Sequence, residues 1–524
     1  MNLESYVSGE WKAGSGEGEP LVNPVTGEEL ARASSDGLDL SAALEYSRRG
    51  SRNLQKLTYA ERAGLLSAIA KVLEANRQEY FDISRRNQGA TKADASFDVD
   101  GAIYTLKQYA KLGQSLTGRM LKDGETVPLS KTGVFGGQHY LKPLEGVAIF
   151  INAFNFPAWG LWEKAAPALL SGVAVFVKPA TATAWLTQRM VKDVFNAGVL
   201  PEGALSILCG SPRDLLDHVR EHDVVSITGS ANTAVMIKSH PNVVARSVRV
   251  NVEADSLNSA ILGPDSGPGT QPFELLLTEV VREMTLKAGQ KCTAIRRILV
   301  PRPLLTSLAD AITKKLGEVK VGSPEQDGVT CGPLVSKKQQ QSALADIAKL
   351  KQEAQVVFGG SEDFRPLGVS DPSRAAFVQP TLLVCDSPRQ ATTVHEIEVF
   401  GPVATLMPYD TLNEAVELAN RGRGSLVASI YSDDADFKQQ VTLGIASSHG
   451  RIMVVDSSVG PQHTGHGNVM PSCLHGGPGR AGGGEELAGL RALHFYHRRF
   501  VVQGPPSLID TLSSQAHDAS SLTS

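Results

Sequence analysis

Thr58 and Glu61 form a T-x-x-E capping box, and behind it Leu65, Leu66, Ile69, Val72 and Leu73 recur at helical spacing. The pattern predicts a helix with one buried face. Helical patterning continues past Tyr80 and through Tyr104 and Tyr109, which are core positions rather than chemistry. From Val147 the pattern changes. Short apolar runs at Val147–Ile151, 173–177, 204–208 and 224–227 alternate with helical segments, and Gly172 and Gly198 fall where C-terminal caps belong. Apolar runs without alternation suit parallel strands covered on both faces. Their repeated βα order predicts an α/β protein with a doubly wound sheet. Ligands of such sheets sit beyond the carboxyl ends of the strands, which singles out 152–155, 178–181 and 228–230.

After Glu253 a second series begins, with a strand at Ser259–Leu262, a helix over 274–288 and a strand at 297–300. A second α/β domain follows from it. Segments 131–141 and 492–502 look extended, lie outside both series, and can pair as a small flap. From Pro505 the chain is Ser-rich without periodic apolar positions, so a disordered tail is expected.

Length and charge narrow the function. A chain of 524 residues exceeds one ordinary core and predicts two or three domains. A net charge of −4, with no excess of Lys and Arg, argues against nucleic acid and a membrane surface as partners. The most apolar stretch is interrupted by Asn152, Asn155, Pro157, Glu163 and Lys164, which a lipid-spanning helix would not tolerate. The N-terminus lacks a basic start before an apolar stretch, so no secretory signal is expected. Five widely spaced cysteines (209, 292, 331, 385 and 473) predict reduced thiols in a cytoplasm rather than disulfides.

Cys292 sits in KAGQKCTAIRR, between a helix and a strand, and nearby Lys291, Arg296 and Arg297 are expected to lower its pKa. Cys209 and Cys385 end strand-like runs and fit inert core positions better. Glu253 ends a strand in which Val248, Val250 and Val252 alternate, so it can project into a cleft or be an ordinary strand-end carboxylate. Asn155 at a strand end can donate to a developing oxyanion or cap the following helix. The G-x-G-x-x-G at Gly477, Gly479 and Gly482 does not follow a strand in a βαβ unit and is rejected as a phosphate cradle. His463, His466, Cys473 and His475 cluster, but without a zinc-site element, so no metal is expected and a substrate-facing loop is.

Eight segments in order resemble the aldehyde dehydrogenase superfamily: NFP at 155–157, VKPAT at 177–181, AGVLPEG at 197–203, ITGS at 227–230, VEADS at 252–256, GQKC at 289–292, GPLVS at 332–336 and EVFGPV at 398–403. The resemblance implies a Rossmann-like NADP-binding domain over 1–125 and 145–255, and a catalytic domain over 256–455. It also implies an oligomerisation flap from 126–144 and 485–503, before a disordered 505–524. By the same resemblance Cys292 is the nucleophile, Glu253 the general base and Asn155 an oxyanion donor. Ile151, Asn152, Phe154, Lys178, Thr181, Gly229, Ser230, Glu398 and Phe400 would bind the cofactor. NAD-preferring relatives often carry a glutamate at the Thr181 position, so NADP is expected over NAD. The base implies an acid product.

Departures narrow it further. Phe154 replaces the usual Trp, Glu253 is followed by Ala-Asp-Ser, and the tail at 475–490 is unusual. That tail resembles the CoA-linked semialdehyde dehydrogenases of aerobic benzoyl-CoA and phenylacetate breakdown, which implies 3,4-dehydroadipyl-CoA semialdehyde as substrate. The phenylacetate enzyme normally carries a fused hydratase domain, and a chain this short favours the benzoyl-CoA branch. Alternatives are a dehydrogenase of free medium-chain aldehydes and a Cys–Glu thioesterase without a redox step. The family's habit implies a homodimer or tetramer.

Overall fold

Parallel strands covered on both faces need unbroken apolar runs, and those runs build the first sheet. In the computed structural model, which describes residues 1–361 and 363–519, five parallel strands lie in the order Arg249–Glu253, Val224–Thr228, Val147–Ile151, Ala174–Lys178, Leu205–Ile207. Ser5–Val7 and Glu10–Lys12 extend it as an antiparallel edge. The chain adds strands on one side of Val147–Ile151 and then returns to its other side with Val224–Thr228. That reversal opens a crevice at the carboxyl ends of the two strands. A second seven-stranded sheet orders Gln355–Phe358, Thr381–Val384, Val403–Tyr409, Arg297–Pro301, Ser259–Leu262, Ser425–Tyr431 and His449–Val455, parallel except for its first pair. The doubly wound α/β class expected from patterning is what the chain forms.

The helix Tyr59–Ala75 starts at the Thr58/Glu61 capping box, and Leu66, Ile69 and Leu73 on its inner face are fully buried. It packs with Lys92–Gln114 and Trp159–Ser171. The last of these is apolar nearly all round, so the buried Lys164 on it needs partners.

A third sheet pairs Gly136–Pro143 antiparallel with His497–Gly504 and with Met120–Pro128. The flap expected at 126–144 and 485–503 thus differs at both ends. Its first strand begins at Met120, and Glu485–Leu487 joins Leu474–Gly476 in a separate hairpin. The tail expected to be disordered is ordered through Ala519. Pro506–Ser513 is a helix anchored by fully buried Ile509, and Ala516–Asp518 runs parallel to Met120–Leu121–Lys122. One buried residue on a two-turn helix is too short a signal for periodicity to register. Residues 520–524 lie outside the described residues. Among the described residues no helix is long and apolar enough to cross a membrane.

Candidate active site

Cys292 lies on the loop between helix Gln271–Thr285 and strand Arg297–Pro301. Just before it, Lys287, Ala288 and Gly289 have φ of 54°, 51° and 69°. For side chains with a Cβ the left-handed region costs about 1–2 kcal/mol per residue, so the turn is held from outside. The Lys287 N–H donates to Asp94 Oδ1 at 2.6 Å, and Arg296 donates to the carbonyls of Gly289 at 2.9 Å and Lys291 at 3.1 Å. Asn258 Nδ2 donates to the carbonyls of Cys292 at 2.8 Å and Ala294 at 2.9 Å. A Cβ on Gly289 would lie 2.2 Å from the Gly401 carbonyl oxygen, so only glycine fits. The Cys292 N–H finds no acceptor among the described residues and remains available as a donor.

The thiol is not activated in the way the local sequence suggests. Lys291 pairs with Glu283 at 2.6 Å in full burial, Arg296 is committed to carbonyls and to Glu398 at 3.5 Å, and Arg297 donates to the carbonyls of Leu257, Leu418 and Ala419. Burial first, and then the charge of Glu253, push the Cys292 thiol well above its ordinary value. The three cations near it in sequence are taken up by Glu283, Glu398 and loop carbonyls and do not offset burial and Glu253.

Glu253 ends the strand Arg249–Glu253 and is buried. The glycine-rich tail reaches it by close approach. The Gly484 N–H donates to Val252 O at 3.0 Å, and the Ala254 N–H donates to Ala481 O at 3.0 Å. A Cβ on either Gly482 or Gly484 would lie 2.4 Å from Val252 O. Gly477 and Gly479 pack equally tightly on Ser425 and Arg423, so these glycines serve packing. The tail then forms the Leu474–Gly476/Glu485–Leu487 hairpin, in which His475 stands opposite Glu486. His475 Nε2 lies 3.1 Å from Glu253 Oε2. Glu486 accepts from Asn251 at 2.8 Å and Ser226 at 3.0 Å, and sits 3.6 Å from Lys164. Lys164 also donates to the Thr228 hydroxyl.

Burial acts to raise the Glu253 carboxyl, but His475, by charge and hydrogen bond, and then Lys164 hold it well below the usual carboxylate range. Burial acts to lower His475, and Glu253 overrides it and raises the imidazole above its ordinary range. Burial, and then the charges of Glu486 and Glu253, push the Glu163 carboxyl up against the pull of His475.

Cys292, Glu253 and Asn155 line one cleft of about 500 Å³, with Asn152, Thr293 and His475. Its apolar wall is an aromatic box in which the Phe97, Phe156 and Trp159 rings lie 5.4–6.0 Å apart, as the pairs at 5.8, 5.4 and 6.0 Å show. The cofactor candidates are spread over the adjoining crevice. Ile151, Lys178 and Gly229 follow the carboxyl ends of neighbouring strands, and Thr181 opens a short 3-10 turn beyond Lys178. Ser230 caps the helix Ala231–Lys238, whose Ala231 N–H already donates to Asp255 at 3.2 Å. Asn152 turns inward, donating to Gly160 O at 3.0 Å. Phe154 and Phe400 meet edge to face at 5.6 Å. Glu398 accepts from the Ser256 N–H at 3.0 Å, and burial pushes its pKa up to about 7 against the pull of Arg296. These residues suit a dinucleotide. Burial lowers the Lys178 pKa against Glu19 and Cys209, and a ribose or phosphate oxygen would give that cation, which forms no ion pair among the described residues, a close partner.

The remaining members of the His463–His475 cluster separate. His466 is buried against Ser429 at 2.8 Å, and Cys473 is exposed. Sequence reasoning missed the Glu163, Lys164 and Glu486 cluster and the partner of His475. Two adjacent charges inside a helix apolar all round were the one available signal.

Residues 11–497 match the aldehyde dehydrogenase family, and the chain belongs to it. It is 63% identical over 480 residues to the 3,4-dehydroadipyl-CoA semialdehyde dehydrogenase of Aromatoleum evansii, covering 91% of this chain and 93% of that one. It is 28% identical over 438 residues, 82% of this chain and 85% of the relative, to the alpha-ketoglutaric semialdehyde dehydrogenase of Bacillus subtilis (strain 168). The crystal structure of betaine aldehyde dehydrogenase from Staphylococcus aureus in complex with NAD+ shares the fold, with a TM-score of 0.83 at 23% identity over 96% of this chain and 95% of that chain.

Proposed function

We propose that this chain oxidises 3,4-dehydroadipyl-CoA semialdehyde to 3,4-dehydroadipyl-CoA with NADP+. The convergence of Cys292, Glu253 and Asn155 on one cleft beside the nucleotide crevice carries the reaction. The relative at 63% identity, and the apolar aromatic box suited to an unsaturated carbon chain, support the substrate.

The Cys292 thiol passes its proton to the neighbouring Glu253 carboxylate, which releases it to solvent before deacylation, and the sulfur bonds to the aldehyde carbon. The oxygen becomes an oxyanion between the Asn155 amide and the Cys292 N–H, and each such donor contributes about 2.7–4 kcal/mol. The dinucleotide, when bound, supplies the hydride acceptor. Cys292 then carries a thioester. Glu253 takes a proton from water, the water oxygen bonds to the thioester carbon, and the C–S bond breaks to give the acid and the thiolate. Thr181 supports NADP+ because it places a hydroxyl, rather than a repelling carboxylate, beyond Lys178. Exposed Val127, Leu129, Val134, Phe135 and Val501 on and beside the third sheet support its role as a dimer or tetramer contact.

The test is turnover of the CoA-linked semialdehyde and of hexanal with each of NADP+ and NAD+, following reduced nicotinamide and acid. The expected result is the highest kcat/KM for the CoA-linked substrate with NADP+. Equal kcat/KM for hexanal overturns the substrate, and acid formed without reduced nicotinamide overturns the redox step.

A further inference from the structure

Glu253 sits among groups that oppose its ionisation. Glu163, Glu253 and Glu486 bring carboxylate oxygens within 4.8 Å of one another. The charged and titratable groups facing Glu253 are Glu163 and Lys164 from helix Trp159–Ser171, Glu486 and His475 from the tail hairpin, and the Cys292 thiol. Of the two cations, Lys164 is shared with Glu486 at 3.6 Å, Thr228 and Asn152. His475 is the cation paired directly with Glu253, at 3.1 Å, both side chains being about 5% exposed, 5% and 4% respectively, and the Cys292 thiol also bears on the carboxylate. The Glu253 carboxylate therefore has two unlike oxygens. Oε2 faces His475, while Oε1 is buried with no hydrogen-bond partner among the described residues. The Cys292 thiol, a Glu253 oxygen and a His475 nitrogen all lie within 4.8 Å of one another.

We infer that His475 is a positioning residue for deacylation: its imidazolium holds Glu253 as an anion with Oε2 occupied and leaves Oε1 to take the proton from the attacking water. This rests on the reading of Glu253 as the base. An imidazolium has no lone pair, so it cannot itself accept that proton. Its contribution is counter-charge and orientation. A buried carboxylate beside two others is expensive to ionise unless a cation is paired with it. Without His475, Glu253 would keep its proton to a higher pH and would fail as base progressively as the pH falls. The cost is basicity, because a paired carboxylate is a weaker acceptor, and orientation offsets it. The hairpin supplies the rigidity. His475 is fixed opposite Glu486, and Glu486 is itself fixed by Asn251 and Ser226 on strands of the cofactor sheet.

The test uses p-nitrophenyl acetate, which acylates Cys292 without a redox step. The burst of nitrophenolate reports acylation, and the steady state reports deacylation. Both are followed across pH at the isosbestic wavelength for the full-length protein, His475→Gln, His475→Phe and Glu253→Gln. In the unmodified protein, deacylation stays flat on the acid side because Glu253 remains ionised there. In His475→Gln and His475→Phe an acid limb enters, moved up by roughly 1–3 pH units as expected for removing an opposite charge. The burst amplitude is retained, and the rate recovers at alkaline pH, where Glu253 ionises without help. A rate lowered equally at every pH, or an acid limb unmoved in both variants, overturns the inference. Glu253→Gln separates the two readings. If it deacylates normally the base assignment itself fails, and if it is blocked while the His475 variants behave as wild type only the positioning role fails.

Discussion

Gly482 offers a direct measurement of how tightly the tail is locked to the catalytic strand. It has a φ of +106°, and an added Cβ would lie 2.4 Å from Val252 O and 2.6 Å from Val252 Cγ1. Its neighbour Gly483 has a φ of +77° but nothing within 4 Å of an added Cβ. Gly483→Ala therefore carries only the backbone penalty, about 1–2 kcal/mol. Gly482→Ala carries the same penalty plus a clash with backbone that no rotamer relieves. Relief means moving the tail off Val252, which weakens the Gly484-to-Val252 and Ala254-to-Ala481 bonds, both 3.0 Å. Each is worth about 0.5–1.5 kcal/mol, so Gly482→Ala should cost roughly 1–3 kcal/mol more than Gly483→Ala. The shift also carries His475 and Glu486 away from Glu253, and displacement on the order of 1 Å costs about 100-fold in rate. Urea unfolding of both variants reads the first effect, and p-nitrophenyl acetate deacylation reads the second. Equal unfolding midpoints and equal deacylation rates for the two would refute the packing argument.

Thr181→Glu should move the NADP+/NAD+ ratio of kcat/KM toward NAD+ by about tenfold for each ~1.4 kcal/mol of phosphate repulsion; an unchanged ratio dismisses Thr181 as the selector. Glu253→Gln should speed iodoacetamide labelling of Cys292 at neutral pH, because it removes the negative neighbour that, after burial, raises the thiol; peptide mass spectrometry reads the rate, and slower labelling contradicts the electrostatics. Lys291→Met should destabilise by about 3–5 kcal/mol by stranding buried Glu283, while the Lys291→Met/Glu283→Leu double variant should recover much of that in urea titration. No loss in the single variant would show that Glu283 is solvated or protonated.

Both parallel sheets were legible because a strand covered on two faces has no freedom to alternate: Val147–Ile151 is apolar throughout, and Ser226 alone interrupts Val224–Ile227. The capping box at Thr58 was legible because its two bonds are local. Cys292, Glu253 and Asn155 were named by resemblance; locally each had an inert reading of equal merit. What stayed hidden was direction. Lys291, Arg296 and Arg297 are next to the thiol in sequence yet serve Glu283 and loop carbonyls, and only tertiary packing fixes that choice. His475 looked like a weak metal ligand because its partner Glu253 lies in another sheet. The tail past Pro505 hid its order because only two of its described apolar residues, Ile509 and Ala519, are buried, too few for a periodicity.

The hairpin that delivers His475 and Glu486 follows Asn155, Glu253 and Cys292 in chain order. Both parallel sheets are complete by Val455, before the hairpin begins at Leu474, so they can close while Glu253 still lacks its imidazolium partner. Docking of the hairpin brings that partner to 3.1 Å. The close approach of Gly482 and Gly484 to Val252 makes the pairing of His475 with Glu253 a product of completed tertiary structure.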